Sequence, residues 1–323
     1  TITISPNAKY FIDSYSQVDL PPIHEVRDMN GKLVSTLEKT DISRLTATGW
    51  KPPTPFTVKS AQGQWDLYGL LFTPKAMKLD EKLPVIVNIY PGPQGGSVGS
   101  WSFIASRGDN QALAELGFVV VQIEGSCNPN RSKSFHDACY GNMGENTLPD
   151  QISGLKQLQE KYEFLDLDNV GIWGHSGGGF ATAAAMFKYP DFFKVGISES
   201  GNHDNRNYED DWGERYIGLE TKDNNGVSNY EKQANQIFAK DLKGKLLLIH
   251  GGMDDNVPPY NSYLVVDALI KANKDFDFIL LPNARHGYGK DSYYIMRRRW
   301  DYFVQNLMHA VPPKEYVIKM GYP

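Results

Sequence analysis

Apolar residues fall into short runs along the chain, separated by polar, glycine-rich and proline-rich stretches. From residue 56 onward the runs alternate between two types. Continuous apolar runs, at residues 84–90 and 117–123, are typical of buried strands. Residues 150–162 instead carry an apolar side chain every three to four positions, which predicts a helix. This alternation predicts an α/β fold with a mostly parallel, doubly wound sheet.

The first forty residues have a different pattern. Short alternating runs flank turn signals, which predicts a few antiparallel strands. They resemble the last blade of a β-propeller, and they are too few to form a propeller by themselves. We therefore expect the chain to begin inside a larger protein. Residues 1–39 would be the blade remnant, residues 40–55 a linker that becomes proline-rich, and residues 56–323 the α/β domain.

A final helix is predicted at about residues 292–309, with Met296, Trp300, Phe303 and Leu307 on its buried face. The run of three arginines at 297–299 is expected to face solvent, as most charge runs do.

One strand-like run ends in a motif that carries chemistry. Residues 170–173 lead into Gly174-His175-Ser176-Gly177-Gly178, the G-x-S-x-G pattern of a nucleophile elbow, and a helix of small side chains follows. In such a turn the serine hydroxyl stands above the sheet, and the backbones approach too closely for large side chains two positions away. The order of strand, elbow and small-residue helix favours a nucleophile over an incidental serine. It also specifies an α/β-hydrolase fold.

Composition excludes several classes of function. The net charge of −5 is spread over interspersed acids and bases, so the chain has no basic surface for nucleic acid. No apolar run approaches the roughly 18 residues that span a bilayer. Neither a CxxC nor a histidine-rich metal motif is present. Cys127 and Cys139 share one loop and are either two ordinary thiols or a local disulfide. A disulfide would favour a periplasmic or secreted protein.

An α/β-hydrolase supplies its catalytic groups in the order serine, acid, histidine, each just after a strand. After Ser176, one later strand-like run leads to Asp254 and Asp255, and the next leads to His286. Among seven histidines, His286 alone follows a strand, precedes a glycine and lies beyond the acids. The residues alone leave the two aspartates as alternatives, since only one carboxylate can accept from the imidazole.

The negative oxygen of an acyl-transfer intermediate needs two hydrogen-bond donors. The backbone amide of Gly177 is predicted as one. The second should come from the loop after the strand at residues 85–89, where the Tyr90 hydroxyl is a candidate. The alternative is a core tyrosine that only ends a strand.

Four motifs in this order resemble the catalytic domain of the prolyl oligopeptidase family, dipeptidyl peptidase IV branch: Tyr90-Pro-Gly-Pro, Trp173-Gly-His-Ser-Gly-Gly-Gly179, His250-Gly-Gly-Met-Asp-Asp-Asn-Val257 and Arg285-His-Gly287. The resemblance covers about residues 52–311. It implies a triad of Ser176, Asp254 and His286, with Tyr90 as an oxyanion donor. The implied activity is a serine peptidase acting through an acyl-enzyme without metal or cofactor. It would be a dipeptidyl aminopeptidase that prefers proline or alanine at P1, the residue before the cleaved bond.

The resemblance also implies how a peptide substrate binds. Asn256 would bind the carbonyl that precedes P1. Tyr208, Trp212, Tyr216 and Val257 would line the S1 pocket, although a tyrosine and tryptophan stripe can equally pack in a core. The missing β-propeller would be the partner domain, and the sequence leaves a homodimer open.

Several positions depart from the branch. The variable elbow positions are His175 and Gly177 where the branch usually has aromatic residues, Glu124-Gly125-Ser126 replaces Asp-Gly-Arg, and residues 202–205 are polar where the pocket is usually apolar. These changes bear on the proline preference more than on hydrolysis. A carboxylesterase with the same triad and a non-catalytic binding relative are the alternative functions.

Overall fold

The structure is a computed structural model that describes residues 1–78 and 80–318. Its strands there are Ile2–Ile4 (β1), Tyr10–Tyr15 (β2), Ile23–Asp28 (β3), Leu33–Lys39 (β4), Thr54–Lys59 (β5), Asp66–Phe72 (β6), Leu83–Asn88 (β7), Val119–Ile123 (β8), Leu165–His175 (β9), Phe193–Glu199 (β10), Lys245–Gly251 (β11) and Asp277–Leu281 (β12). Its α-helices are Ser43–Thr46 (α1), Asn110–Glu115 (α2), Lys133–His136 (α3), Leu148–Lys161 (α4), Gly177–Lys188 (α5), Asp210–Tyr216 (α6), Tyr260–Lys271 (α7) and Ser292–Asn306 (α8). Short 3-10 turns lie at Asp137–Cys139, Asn205–Asn207, Glu231–Gln233, Asn235–Asp241 and Gly289–Asp291.

Strands β5 to β12 form one eight-stranded sheet in the order β12-β11-β10-β9-β7-β8-β6-β5. The strands from β12 through β8 in this order are mutually parallel, and β6 and β5 add an antiparallel pair at one edge. The predicted α/β fold with a mostly parallel sheet is confirmed. Because β9 lies in the middle, the residue that follows it is flanked by the carboxyl ends of β7 and β10.

Helices cover both faces of this sheet, because successive strand residues point to opposite sides. Along β7, Val85 and Val87 enter the core that contains α4, α5 and α7, whereas Ile86 enters the core that contains α2 and α8. All three side chains are fully buried. Burial on both faces makes such strands continuous apolar runs, which is why the sequence predicted them.

The first four strands form a separate antiparallel sheet in the order β1-β2-β3-β4. All residues of the edge strand β4 are exposed. Phe103 N of the α/β region donates to Ser16 Oγ of this part at 3.0 Å. In the segment that follows β4, Trp50 Nε1 donates to Ala105 O at 2.8 Å. The predicted domain boundaries stay predictions. Strand β5 begins inside the predicted linker, and residues 79 and 319–323 of the predicted α/β domain lie outside the described residues.

The last helix differs from its prediction in register. It ends at Asn306, earlier than expected, and its buried residues are Ile295, Arg299, Tyr302 and Phe303. Met296 and Trp300 are only partly buried. The inward stripe therefore starts one position earlier than the apolar side chains alone indicate, and an arginine takes the place of an apolar residue in it.

The prediction that the arginine run faces solvent is wrong at Arg299, whose side chain is 8% exposed. Its guanidinium donates to Asp109 Oδ2 at 2.6 Å and to Glu199 Oε1 at 2.9 Å. It also lies 3.5 Å from the ring centroid of Trp173. A buried charge is tolerated where it is paired and hydrogen-bonded, and both carboxylates come from distant parts of the chain.

Candidate active site

Ser176 occupies the turn between β9 and α5 with φ 59° and ψ −121°, a strained conformation for a residue other than glycine. Its amide donates to Glu199 O at 2.8 Å. A Cβ on Gly174 would lie 2.4 Å from Ile89 O, and one on Gly178 would lie 2.2 Å from the same oxygen. This close approach of backbones accounts for both glycines and places Ser176 at the carboxyl edge of the sheet.

The two predicted oxyanion donors lie next to each other. The ring of Tyr90 is the nearest neighbour of a Cβ built on Gly177, at 3.8 Å. Gln94 Nε2 donates to the Tyr90 hydroxyl at 2.8 Å, which leaves the phenolic hydrogen to donate elsewhere. Burial raises the pKa of Tyr90 above its usual value, against a smaller opposing effect of Gln94. The phenol therefore stays protonated at neutral pH.

The loops after β11 and β12 bring Asp254 and His286 together: His286 Nδ1 lies 2.7 Å from Asp254 Oδ2. The other oxygen, Oδ1, accepts from the amides of Val257 at 2.9 Å and Asn256 at 3.1 Å. Burial opposes ionisation, but hydrogen bonds from two imidazoles and the Val257 amide outweigh it and hold the pKa of Asp254 well below its usual range. Between the described residues Ser176 and His286 no hydrogen bond forms, and such bonds are often long before substrate binds.

The second imidazole on this carboxylate belongs to His250, which was excluded as the base because it precedes the acid in the sequence. His250 is fully buried, and its Nε2 lies 3.3 Å from Asp254 Oδ2 and 2.9 Å from Val257 O. Its Nδ1 accepts from Ser262 Oγ at 2.7 Å. The signal for it was a histidine near the end of a predicted strand, four residues before the acid.

Asp255, the alternative acid, is ion-paired with Arg285 instead, and both side chains are largely exposed. The structure therefore brings one of the two candidate aspartates to the imidazole.

A second histidine and carboxylate lie against the first pair. The ring centroid of His175 is 4.6 Å from that of His286, and His175 Nδ1 is 3.7 Å from Glu199 Oε2. Burial opposes ionisation of Glu199, but the charge of Arg299 and the interactions with His175 together outweigh it and lower the pKa of the carboxyl. The variable position of the elbow thus adds an imidazole beside the predicted base.

A small cavity opens beside Ser176. Of the predicted S1 residues, Tyr208 and Trp212 line it, and their rings meet edge to face with centroids 5.7 Å apart. Tyr216 packs against Trp212 at 5.3 Å but lines a neighbouring cavity with His136.

Val257 and Asn256 do not line this cavity either. The Val257 side chain is fully buried and Asn256 is exposed, and both contribute their backbone amides to Asp254. The cavity wall also includes Asn202 and Asn205, from the polar stretch that the resemblance placed at the pocket, and Gln94 and Asn146, which the prediction did not assign to it. No sequence signal pointed to Gln94 and Asn146.

Cys127 and Cys139 are joined in a disulfide, the second of the two alternatives. Within residues 1–78 and 80–318, no group of three or more histidine, cysteine, aspartate or glutamate side chains could hold a metal ion. In the same part of the chain, every helix is too short or too polar to cross a membrane.

Comparison with known proteins identifies the family of the chain. A profile of the prolyl oligopeptidase family matches residues 103–310. The chain is 30% identical to mouse dipeptidyl peptidase 8, over 88% of this chain and 32% of that protein. It is 32% identical to the venom dipeptidyl peptidase 4 of Vespula vulgaris, over 74% of this chain and 31% of that protein. It therefore spans about one third of the length of these relatives.

Solved structures give the same result. A putative dipeptidyl aminopeptidase IV from Bacteroides ovatus matches with a TM-score of 0.86 and 29% identity, over 95% of this chain and 43% of that one. Porphyromonas gingivalis dipeptidyl peptidase 4 matches with a TM-score of 0.84 and 26% identity, also over 95% and 43%.

Proposed function

The chain belongs to the prolyl oligopeptidase family of serine hydrolases, and from that premise we propose that it removes dipeptides from the N-termini of peptides. The observation that carries the proposal is the 2.7 Å contact between His286 Nδ1 and Asp254 Oδ2, next to a serine held in a strained elbow. Relatives with dipeptidyl peptidase names support the substrate class. Because the chain spans only part of their length, the activity of the whole protein is itself proposed.

In the proposed mechanism Ser176 attacks the carbonyl carbon of the P1 residue. His286, with Nδ1 held by Asp254, takes the serine proton on Nε2 and passes it to the leaving amine. The Asp254 carboxylate fixes the tautomer and stabilises the imidazolium. The Gly177 amide and the Tyr90 hydroxyl donate to the oxyanion, and water then attacks the acyl-enzyme with His286 again as the base.

A small P1 residue, proline or alanine, remains the proposed preference. The edge-to-face pair of Tyr208 and Trp212 supports it, because flat rings can enclose a flat pyrrolidine. Asn256 as the ligand of the carbonyl before P1 is likewise a proposal. Tyr216 and Val257 would act by supporting the residues that line the cavity.

A β-propeller in the same protein is the proposed partner domain. Strand β4 exposes Leu33, Val34 and Leu37 at an unpaired sheet edge, and exposed apolar edges are usually covered in native proteins. A periplasmic or secreted location is also proposed, with the disulfide between Cys127 and Cys139 in support. Two reactive thiols in the unreduced protein would contradict that location.

The test compares three substrates with the full-length protein: a dipeptidyl anilide with a free amine, its N-acetylated form and a simple acetyl ester. We expect the free-amine anilide to give the highest kcat/KM, with an intact dipeptide detected by mass spectrometry. Ester hydrolysis without anilide hydrolysis would indicate a carboxylesterase. Equal cleavage of the acetylated anilide would indicate an endopeptidase, and no turnover at all would indicate a binding relative.

A further inference from the structure

The cavity beside Ser176 contains a buried hydrogen-bond acceptor that lacks a donor. Asn202 and Asn205 follow β10 and are 5% and 6% exposed. Asn202 Nδ2 donates to Asn205 Oδ1 at 2.7 Å. Asn202 Oδ1 is buried and has no hydrogen-bond partner among the described residues. Unpaired buried acceptors are rare because they lose their contacts with water and gain nothing.

A second carboxamide of the same cavity is in a similar state. Asn146 is 6% exposed, and its Nδ2 makes a long bond of 3.4 Å to Gly92 O. The polar neighbour of its Oδ1 is Cys139 Sγ, at 3.8 Å. That sulfur is part of a disulfide and has no hydrogen to donate.

Gln94, another polar residue of the wall, has a hydrogen-bond partner on both the oxygen and the nitrogen of its carboxamide. Gln94 Oε1 accepts from Trp212 Nε1 at 3.1 Å, and Gln94 Nε2 donates to the Tyr90 hydroxyl. Two amide oxygens of the wall, those of Asn202 and Asn146, therefore lack a donor, and an amide oxygen can accept but not donate.

Space for a substrate side chain exists next to the nucleophile. Gly177 carries no side chain, and a Cβ placed there would meet nothing closer than the Tyr90 ring at 3.8 Å. The aromatic side chains of Phe180, Tyr208 and Trp212 form the other walls. A bound side chain would thus be enclosed by rings while one part of it faces the carboxamides.

We propose that this cavity binds the P1 side chain and selects one that carries a hydrogen-bond donor, a hydroxyl or a carboxamide, over an apolar side chain of the same size. A donor from the substrate gives Asn202 Oδ1 its missing partner, whereas an apolar isostere leaves that oxygen unpaired. Sites that hydrogen-bond a substrate group discriminate strongly against analogues that lack it. The inference rests on the proposed peptidase function and revises its P1 preference: size still limits the side chain, but at equal size a donor-bearing residue is preferred over an apolar one such as alanine.

The experiment measures kcat/KM of the full-length protein for dipeptidyl coumarylamides with one fixed P2 residue and matched P1 pairs: serine and alanine, threonine and valine, asparagine and leucine. The donor-bearing member of each pair should be faster by about 10- to 100-fold, the range expected for an unsatisfied buried acceptor. In Asn202→Leu the ratio within each pair should fall to near one.

Asn110→Leu is the matched control. Asn110 is also fully buried, with neither side-chain atom hydrogen-bonded among the described residues, but it does not line the cavity. This variant should keep the wild-type ratios, and its thermal unfolding shows what the loss of a buried carboxamide does to the fold alone.

The outcomes separate this inference from the proposed function. If no dipeptidyl substrate is cleaved, the peptidase proposal fails. If peptides are cleaved at equal rates within the pairs, the donor preference fails and the peptidase function stands. A preference that persists in folded Asn202→Leu overturns the role of Asn202. Should that variant not fold, the wild-type ratios alone decide.

Discussion

Two buried carboxylates lie at the carboxyl ends of neighbouring strands, each beside an imidazole. Asp254 follows β11 and lies 2.7 Å from His286 Nδ1, whereas Glu199 ends β10 and lies 3.7 Å from His175 Nδ1. They are 5% and 2% exposed, so burial does not distinguish them. They differ in what balances their charge. Asp254 accepts from backbone amides and imidazoles, while Glu199 accepts from the permanently charged Arg299.

This difference indicates that the two buried carboxylates have different roles. A carboxylate without a permanently charged partner keeps its charge available for the imidazolium that forms on His286 during proton transfer. Glu199 instead shares the Arg299 guanidinium with Asp109. Its backbone oxygen also accepts from the Ser176 amide at 2.8 Å. We therefore propose a catalytic role for Asp254 and a structural role for Glu199, which would hold the elbow in place.

The largest expected effect comes from replacing each carboxylate by its amide. Asp254→Asn should lower kcat by about 10³- to 10⁴-fold, because the imidazole loses its tautomer control and its counter-charge. Glu199→Gln should lower kcat by less than about tenfold in protein that remains folded. Steady-state kinetics of both variants, with thermal unfolding alongside, checks the comparison. Equal losses of kcat would contradict the proposal that Asp254 and Glu199 have different roles.

Removing the Arg299 charge that balances Glu199 should change the free energy of unfolding. Arg299→Met should lower the free energy of unfolding by about 3–5 kcal/mol, because it leaves Glu199 and Asp109 buried without their cation. The control is Arg298→Met. Arg298 hydrogen-bonds the Tyr294 hydroxyl, and its loss should cost less than about 1 kcal/mol. Urea unfolding measures both, and similar losses would show that Arg299 has no special role.

Loss of an oxyanion donor should lower kcat less than the replacement of Asp254. Tyr90→Phe removes one proposed donor and should lower kcat by about 10²- to 10³-fold, with a smaller change in KM, because the bond strengthens only in the transition state. Pre-steady-state measurement of acylation separates this effect from product release. An unchanged kcat would remove Tyr90 from the mechanism.

The smallest expected effect is on the pH dependence of stability. The folded-state pKa of Asp254 is depressed, so its stabilising contribution is complete above its unfolded pKa of about 4 and is lost as pH falls through the lower folded value. Between about pH 5 and pH 3, Asp254→Asn should therefore lose less unfolding free energy than the wild type, by an amount on the order of 1 kcal/mol. Parallel curves for the two proteins would contradict this sign.

The sequence predicted which loops would come together, because each candidate side chain lies within a few residues of the end of a strand. Ser176, Asp254 and His286 occupy such positions, and the shared carboxyl edge of parallel strands brings their loops together. Their catalytic roles remain predictions. The choice of Asp254 over Asp255 needed the family resemblance, since both follow the same strand.

The errors and omissions involve contacts between distant parts of the chain. Arg299 pairs with groups 100 and 190 residues away, so a local pattern treats it as a solvated charge. The cavity wall combines Asn146 with Asn202 from separate loops, and no local signal joins them. Tyr216 and Trp212 share one short helix, yet they face neighbouring cavities, which a sequence motif cannot separate.

The central claim is that Ser176 is acylated with His286 as its base. The most direct measurement is labelling by a fluorophosphonate followed by peptide mass spectrometry. We predict a single adduct on Ser176 in the wild type, and labelling in folded His286→Ala that is slower by at least about 10²-fold. An adduct on another residue, or labelling of His286→Ala at the wild-type rate, would contradict it.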